Sequence, residues 1–141
     1  MVKLLSKPID AFMFITAGKS VATIKSVKTG KHFTYKIKKL EDKNIKFVSV
    51  LFDPSSKRYQ YIGTIRENGS FSLTRGSKCD ENAISFKAFN WAWEHIRNMS
   101  MPSDLEVWHE GKCGKCGRQL TDPESIELGI GPICRKSIYG N

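Results

Sequence analysis

Three of the chain's four cysteines lie close to its C-terminus, as Cys113-Gly114-Lys115-Cys116-Gly117-Arg118 and then Gly129-Ile130-Gly131-Pro132-Ile133-Cys134. No other feature restricts the possible folds as strongly. Two thiolates in Cys-x2-Cys spacing converge on one ion only where the backbone turns sharply between them. Gly114 and Gly117 permit that turn and leave amides free to hydrogen-bond the sulfurs. Pro132 favours the first position of a helix, which puts Cys134 in the first helical turn. A knuckle, an intervening hairpin and a ligand at a helix start describe a treble-clef-like zinc finger over residues 105–141.

A structural zinc ion takes four ligands, and this motif supplies Cys113, Cys116 and Cys134. His109 is the nearest remaining donor and the expected fourth ligand, giving one Zn2+ in a Cys3His site. Cys79 competes for that position, and a water there would be the catalytic arrangement. A thioredoxin-like redox pair needs its Cys-x2-Cys between a strand and a helix, and glycine-rich knuckle chemistry surrounds this one. A secreted disulfide framework explains the spacing less well than a metal does. Gly18-Lys19-Ser20 copies the tail of a P-loop, but Met13 stands where the first glycine belongs and a strand-like segment follows.

Upstream of residue 105 the pattern is β-rich. Val21–Val27, His32–Lys38, Ile45–Phe52, Tyr59–Ile65 and Phe71–Thr74 read as five strands in meander order, with turns at Lys28-Thr29-Gly30, Asp53-Pro54 and Asn68-Gly69. His32–Lys38 alternates, with Phe33, Tyr35 and Ile37 on one face and His32, Thr34, Lys36 and Lys38 on the other. Tyr59, Tyr61 and Ile65 share one face of their strand by the same rule. Phe86, Phe89, Trp93 and Ile96 then recur at helical spacing, predicting one helix that ends at Arg97 and packs its aromatic stripe on the sheet. Leu105–Trp108 is a sixth strand leading into the cysteines. The expected fold is α+β: an antiparallel sheet of five to six strands and one helix over residues 1–104, followed by the zinc module at 105–141.

Charge separates the two ends of the chain. The net charge is +9, and residues 1–46 carry eleven lysines against three acids, a local excess of +8. Such a field attracts polyanions, nucleic acid above all. No apolar run reaches the length of a membrane span. Ala11–Ala17 has the look of a weak signal core, but Pro8 and Asp10 interrupt its approach and the run is short, so no cleaved signal is expected.

The string from Trp108-His109-Glu110-Gly111 through Cys113, Cys116, Leu120-Thr121, Pro123, Ser125, Gly129, Gly131-Pro132 and Cys134 resembles a domain of uncharacterised bacteriophage proteins. The resemblance extends to Phe14-Ile15-Thr16-Ala17-Gly18, Phe33-Thr34-Tyr35, Val48-Ser49-Val50-Leu51 and Ala88-Phe89 with Trp91 and Trp93. It implies a phage accessory protein acting in the cytoplasm of a bacterial host, and it implies that His109 belongs to the cysteine motif. It brings no assigned activity.

These features point to a binding protein, not an enzyme. The first reading is nucleic-acid binding, with Lys25, Lys28, Lys31, His32, Lys36 and Lys38 on phosphates and Lys112, Lys115, Arg118, Arg135 and Lys136 forming a second patch around the finger. The alternative is an adaptor or inhibitor that sets the same lysines against an acidic surface of a host enzyme or defence complex.

Overall fold

In the computed structural model, which describes residues 2–139, the chain forms one seven-stranded antiparallel sheet with four helices. The strands are β1 (Lys3–Leu4), β2 (Lys19–Ser26), β3 (His32–Lys39), β4 (Lys46–Asp53), β5 (Arg58–Ile65), β6 (Phe71–Ser72) and β7 (Leu105–His109). The helices are α1 (Pro8–Ile15), α2 (Ile84–Arg97), α3 (Pro123–Leu128) and α4 (Pro132–Tyr139). The expected meander β2–β6 is present, in the order β1-β7-β2-β3-β4-β5-β6. None of the helices among the described residues is long and apolar enough to cross a membrane.

One face of the sheet is the core. Ala22, Ile24, Tyr35, Ile37, Val48, Val50, Ile62, Leu105 and Val107 are buried there together with Phe86, Phe89, Trp93 and Ile96, the expected stripe of α2. Two polar ends are tied down as burial requires. The Tyr35 hydroxyl donates to the Ser85 carbonyl at 2.6 Å, and the Trp93 indole N–H donates to the Gly69 carbonyl at 2.7 Å.

The segment with the look of a signal core is the helix α1. Pro8 begins it, and Ala11, Phe14 and Ile15 are completely buried. Phe12 stacks on Trp93 with ring centroids 5.7 Å apart, while Met13 and Ala17 pack against the cysteine-rich end of the chain. α1 therefore lies between α2 and the C-terminal module. The P-loop look-alike is excluded as a phosphate loop: Lys19 opens strand β2, and the buried Ser20 hydroxyl donates to the Ile15 carbonyl at 3.0 Å.

A register shift corrects the expected faces of β5. Tyr61 pairs with Ser49 but Gly63 pairs with Val48, so Ile62 is an extra residue in the ladder. Tyr59 and Tyr61 remain on the face away from the helices, whereas Ile65 turns into the core and is 1% exposed. Period-two alternation cannot anticipate such an inserted residue.

β7 enters the sheet between β1 and β2, pairing Lys3 with His109 and Ala22 with His109 on its two sides. The C-terminal module thus shares its first strand with the main sheet.

Candidate metal centre

The three cysteines of the motif converge. The sulfurs of Cys113, Cys116 and Cys134 all lie within 4.8 Å of one another, close enough to hold a single metal ion. The knuckle is built by two backbone bonds: Cys113 N–H donates to the Arg118 carbonyl, and Gly117 N–H donates to the Cys113 carbonyl, each at 2.8 Å. Gly117 has φ +80°, the left-handed conformation that the turn requires. Cys134 sits in the first turn of α4 behind Pro132, as its sequence position predicts.

Between the knuckle and α4 the expected hairpin is replaced. The isolated bridge between Lys112 and Gln119 closes the knuckle itself, and the connection from there to α4 carries the helix α3. Asp122 caps α3 by accepting from Ser125 N–H at 3.1 Å, with Pro123 following at the first helical position and Gly129 ending the helix at φ +76°.

Phe14 fixes this module on α1. A Cβ on Gly114 would lie 2.7 Å from the Phe14 ring, and a Cβ on Gly129 would lie 2.7 Å from the same ring and 3.2 Å from His109. The two glycines are bonded to each other, Gly114 N–H donating to the Gly129 carbonyl at 2.8 Å. Gly114 is therefore needed for close packing on Phe14, not for the knuckle turn that its spacing suggested.

His109 stands apart from the sulfur cluster, contrary to its expected part as fourth ligand. The residue is fully buried, and both ring nitrogens are used by the backbone. Nδ1 accepts from Gly111 N–H at 2.9 Å, and Nε2 lies 2.6 Å from the Ile126 carbonyl. Since Nδ1 is an acceptor, the neutral ring carries its proton on Nε2 and donates it to Ile126. Burial holds the imidazole below its ordinary pKa, against the opposing pull of the Ile126 carbonyl and the nearby Glu110 carboxylate. Cys79, the other suggested ligand, packs against the main core, with its sulfur 3.9 Å from the Ile62 carbonyl.

The chemistry of the donor set fits a cation. Burial works to raise the Cys113 thiol, but amide N–H groups of Gly131, Cys116 and Lys115 overcome it and hold this thiol below its ordinary value. Gly131 N–H reaches the Cys113 sulfur at 3.3 Å. Cys134 is pushed up to about 12, first by burial and then by the adjacent Cys116 and Cys113 sulfurs. Three crowded thiols therefore resist losing all their protons together, and a bound cation removes that obstacle by neutralising the thiolates.

The sequence-assigned cations fall into three places. Lys36 and Lys38 are exposed on the sheet face opposite the helices, and Lys25 is half-buried on the same face. Lys28 and Lys31 occupy the turn between β2 and β3, with His32 exposed beside them. Lys112, Lys115, Arg118 and Lys136 are exposed on the C-terminal module. Arg135 is committed within that module: it donates to the Ser125 hydroxyl at 2.8 Å and the Ile130 carbonyl at 3.0 Å, and lies 3.7 Å from Glu124. That engagement makes it a brace between α3 and α4.

Sequence reasoning missed what accompanies the lysines. Phe47, Tyr59, Tyr61 and Trp108 share their sheet face, with Lys36 Nζ 4.3 Å from the centroid of the Tyr59 ring and Phe47 edge-on to Tyr61 at 6.0 Å. Lys19, paired with Lys38, adds a further exposed cation, and its N–H donates to the Gly114 carbonyl at 2.7 Å. The cysteine cluster therefore adjoins this end of the sheet. The available signal was that Tyr59 and Tyr61 alternate in step with the outward lysines of β3.

No curated protein and no solved structure matches the chain. Residues 104–139, the segment from the start of β7 through α4, match a family of unknown function, DUF6011.

Proposed function

We propose that this protein binds single-stranded nucleic acid on the sheet face opposite its helices, and that a structural zinc ion at the three cysteines holds the C-terminal module beside that face. One observation carries the reading. The main buried cluster draws its strand residues from the other side of the sheet, leaving a face that combines Lys25, Lys36 and Lys38 with Phe47, Tyr59, Tyr61 and Trp108. Alternating cations and aromatic rings suit a strand whose phosphates are neutralised while its bases stack, and stacking does not require a particular sequence. Glu106 lies at the β7 side and the Glu110 carboxylate accepts from the Thr23 hydroxyl at 3.3 Å, so the exposed lysines of β3 are where the backbone would run.

Three thiolates suit zinc among the common biological metals. The pairing of a knuckle with a cysteine at the start of α4 supports a treble-clef-like arrangement, in which α3 takes the place of the hairpin. The resemblance to bacteriophage proteins supports a place of action inside the infected bacterial cell.

The test is fluorescence anisotropy with a labelled single-stranded oligonucleotide and its duplex across a salt series. The single strand binds more tightly, and log K falls with log salt by about 0.7 per phosphate contact. A curve that barely moves with salt rejects the proposal. Recovery of one stoichiometric host protein after nuclease treatment, with no nucleic-acid affinity, selects the adaptor reading instead.

A further inference from the structure

The sulfur cluster borders a cleft. A cavity of about 420 Å³ is lined by Cys113, Cys116 and Cys134 and also by Arg118, Asp122 and Ile133. Cys116 is exposed, and Ile133 at the rim is 77% exposed. Among the described residues no fourth histidine, cysteine or carboxylate joins the group that could hold the ion. The two donors best placed in the sequence to complete it are engaged elsewhere: His109 spends both nitrogens on the backbone, and Cys79 lies against the main core. Asp122, the carboxylate nearest in the cleft lining, is the cap of α3.

We infer that the metal held by the three thiolates keeps its fourth coordination position open to this cleft and there takes an external donor, an imidazole or a thiolate. The inference rests on the metal-binding reading above. A four-coordinate zinc ion with three protein ligands carries an exchangeable water in the fourth position. Soft or borderline donors match a thiolate-bound ion, so imidazole and thiol sulfur displace that water more readily than a carboxylate does. Zinc with three thiolates has a net charge of −1. Arg118 in the lining and the exposed Lys115 beside the knuckle moderate that charge and make a second anion acceptable. Such a donor can arrive on a partner's histidine or cysteine side chain, or as a free small molecule, and the exposed Ile133 gives a partner an apolar foothold at the rim.

The experiment uses full-length protein loaded with Co2+, whose visible d–d bands report the ligand set of a tetrahedral site. Imidazole and, separately, 2-mercaptoethanol are titrated in. The expected result is one Co2+ per chain, a saturable shift of the d–d envelope with each probe, and retention of the metal throughout. A spectrum that stays fixed while one Co2+ remains bound overturns the open position, since an internal ligand then fills it. In that case Asp122→Ala or His109→Gln identifies the residue by altering the starting spectrum. Protein that binds no Co2+ with free thiols overturns the metal-binding reading itself, a distinct outcome. If the open position holds, a histidine-containing peptide that shifts the bands at lower concentration than free imidazole identifies a side-chain source, and equal concentrations identify a small molecule.

Discussion

The imidazole of His109 donates its Nε2 proton to the Ile126 carbonyl at 2.6 Å, bolting the end of β7 to α3. Its other nitrogen holds the Gly111 amide, and its ring lies 5.5 Å from that of Phe14, centroid to centroid. His109→Ala removes a buried ring and strands a backbone donor and acceptor, a loss of about 2–4 kcal/mol. His109→Gln retains one of the two bonds and costs less. Urea unfolding checks the order of the two variants, and both should still bind one equivalent of zinc when folded at low temperature.

The same residue makes stability depend on pH. The folded protein holds His109 below its ordinary pKa, so the unfolded chain binds a proton that the native state refuses. Stability therefore rises with pH: the contribution is complete above the unfolded value of about 6.5 and is lost as pH falls from there through the folded pKa. Urea midpoints measured from pH 8 to pH 5 should fall below about pH 6.5. The fall should be shallower in His109→Gln, which has no titrating group at this position.

Gly129→Ala should loosen the module from α1. The new methyl meets the Phe14 ring at 2.7 Å, and φ is +76°. Overpacking and a left-handed alanine together cost about 2–4 kcal/mol. Gly30→Ala has a comparable φ of +75° with no atom within 4 Å, so it isolates the backbone part of the effect. Thermal melts of the two variants separate steric from conformational cost.

Removal of the metal should unfold the end of the chain selectively. Among the described residues only Cys113, Leu120 and Ile130 are buried in the cluster there, with Met13, Ala17, Ile126, Cys134 and Ile138 partly buried around them, too small a core to hold residues 111–139 without a cross-link. Hydrogen exchange after chelation, or in Cys116→Ser, should show loss of amide protection over α3 and α4. Protection across β3 and β4 should persist.

Lysine and tyrosine substitutions should have different signatures on nucleic-acid binding. Lys36→Ala with Lys38→Ala should weaken binding to every sequence and lower the salt slope by about 0.7 for each phosphate no longer neutralised. Tyr59→Ala should cost about 1–3 kcal/mol for a stacked base and leave the slope nearly unchanged. Anisotropy titrations at three salt concentrations distinguish the two.

Elements whose periodicity reports burial were legible from the residues. β3 alternates because one face meets α2 and the other meets solvent, and α2 shows its stripe because only one side is buried. α1 was hidden for the opposite reason: Ala11-Phe12-Met13-Phe14-Ile15 touches α2, the sheet and the C-terminal module, so no polar face marks a helical period. The three sulfurs were legible because cysteines that converge on one point in a knuckle and a helix start keep a recognisable spacing. The fate of His109 was not, because its partners, Gly111 and Ile126, are backbone groups that no side-chain pattern announces. Nor does alternation reveal an inserted residue such as Ile62, which decides that Tyr59 and Ile65 face opposite ways.

The position of β7 has a consequence for the order of events as the chain leaves the ribosome. β1 and β2 are made well before β7, the strand from residues 105–109 that holds them apart. The β2–β5 meander can assemble from neighbouring segments during synthesis, but β1 has no partner strand until β7 emerges. Closing that long loop is entropically slow, and the outer edge of β2 stays open while it waits. The vulnerable interval thus runs from the emergence of β2 to that of β7, and it ends when β7 zips in and draws the cysteine-bearing segment against α1.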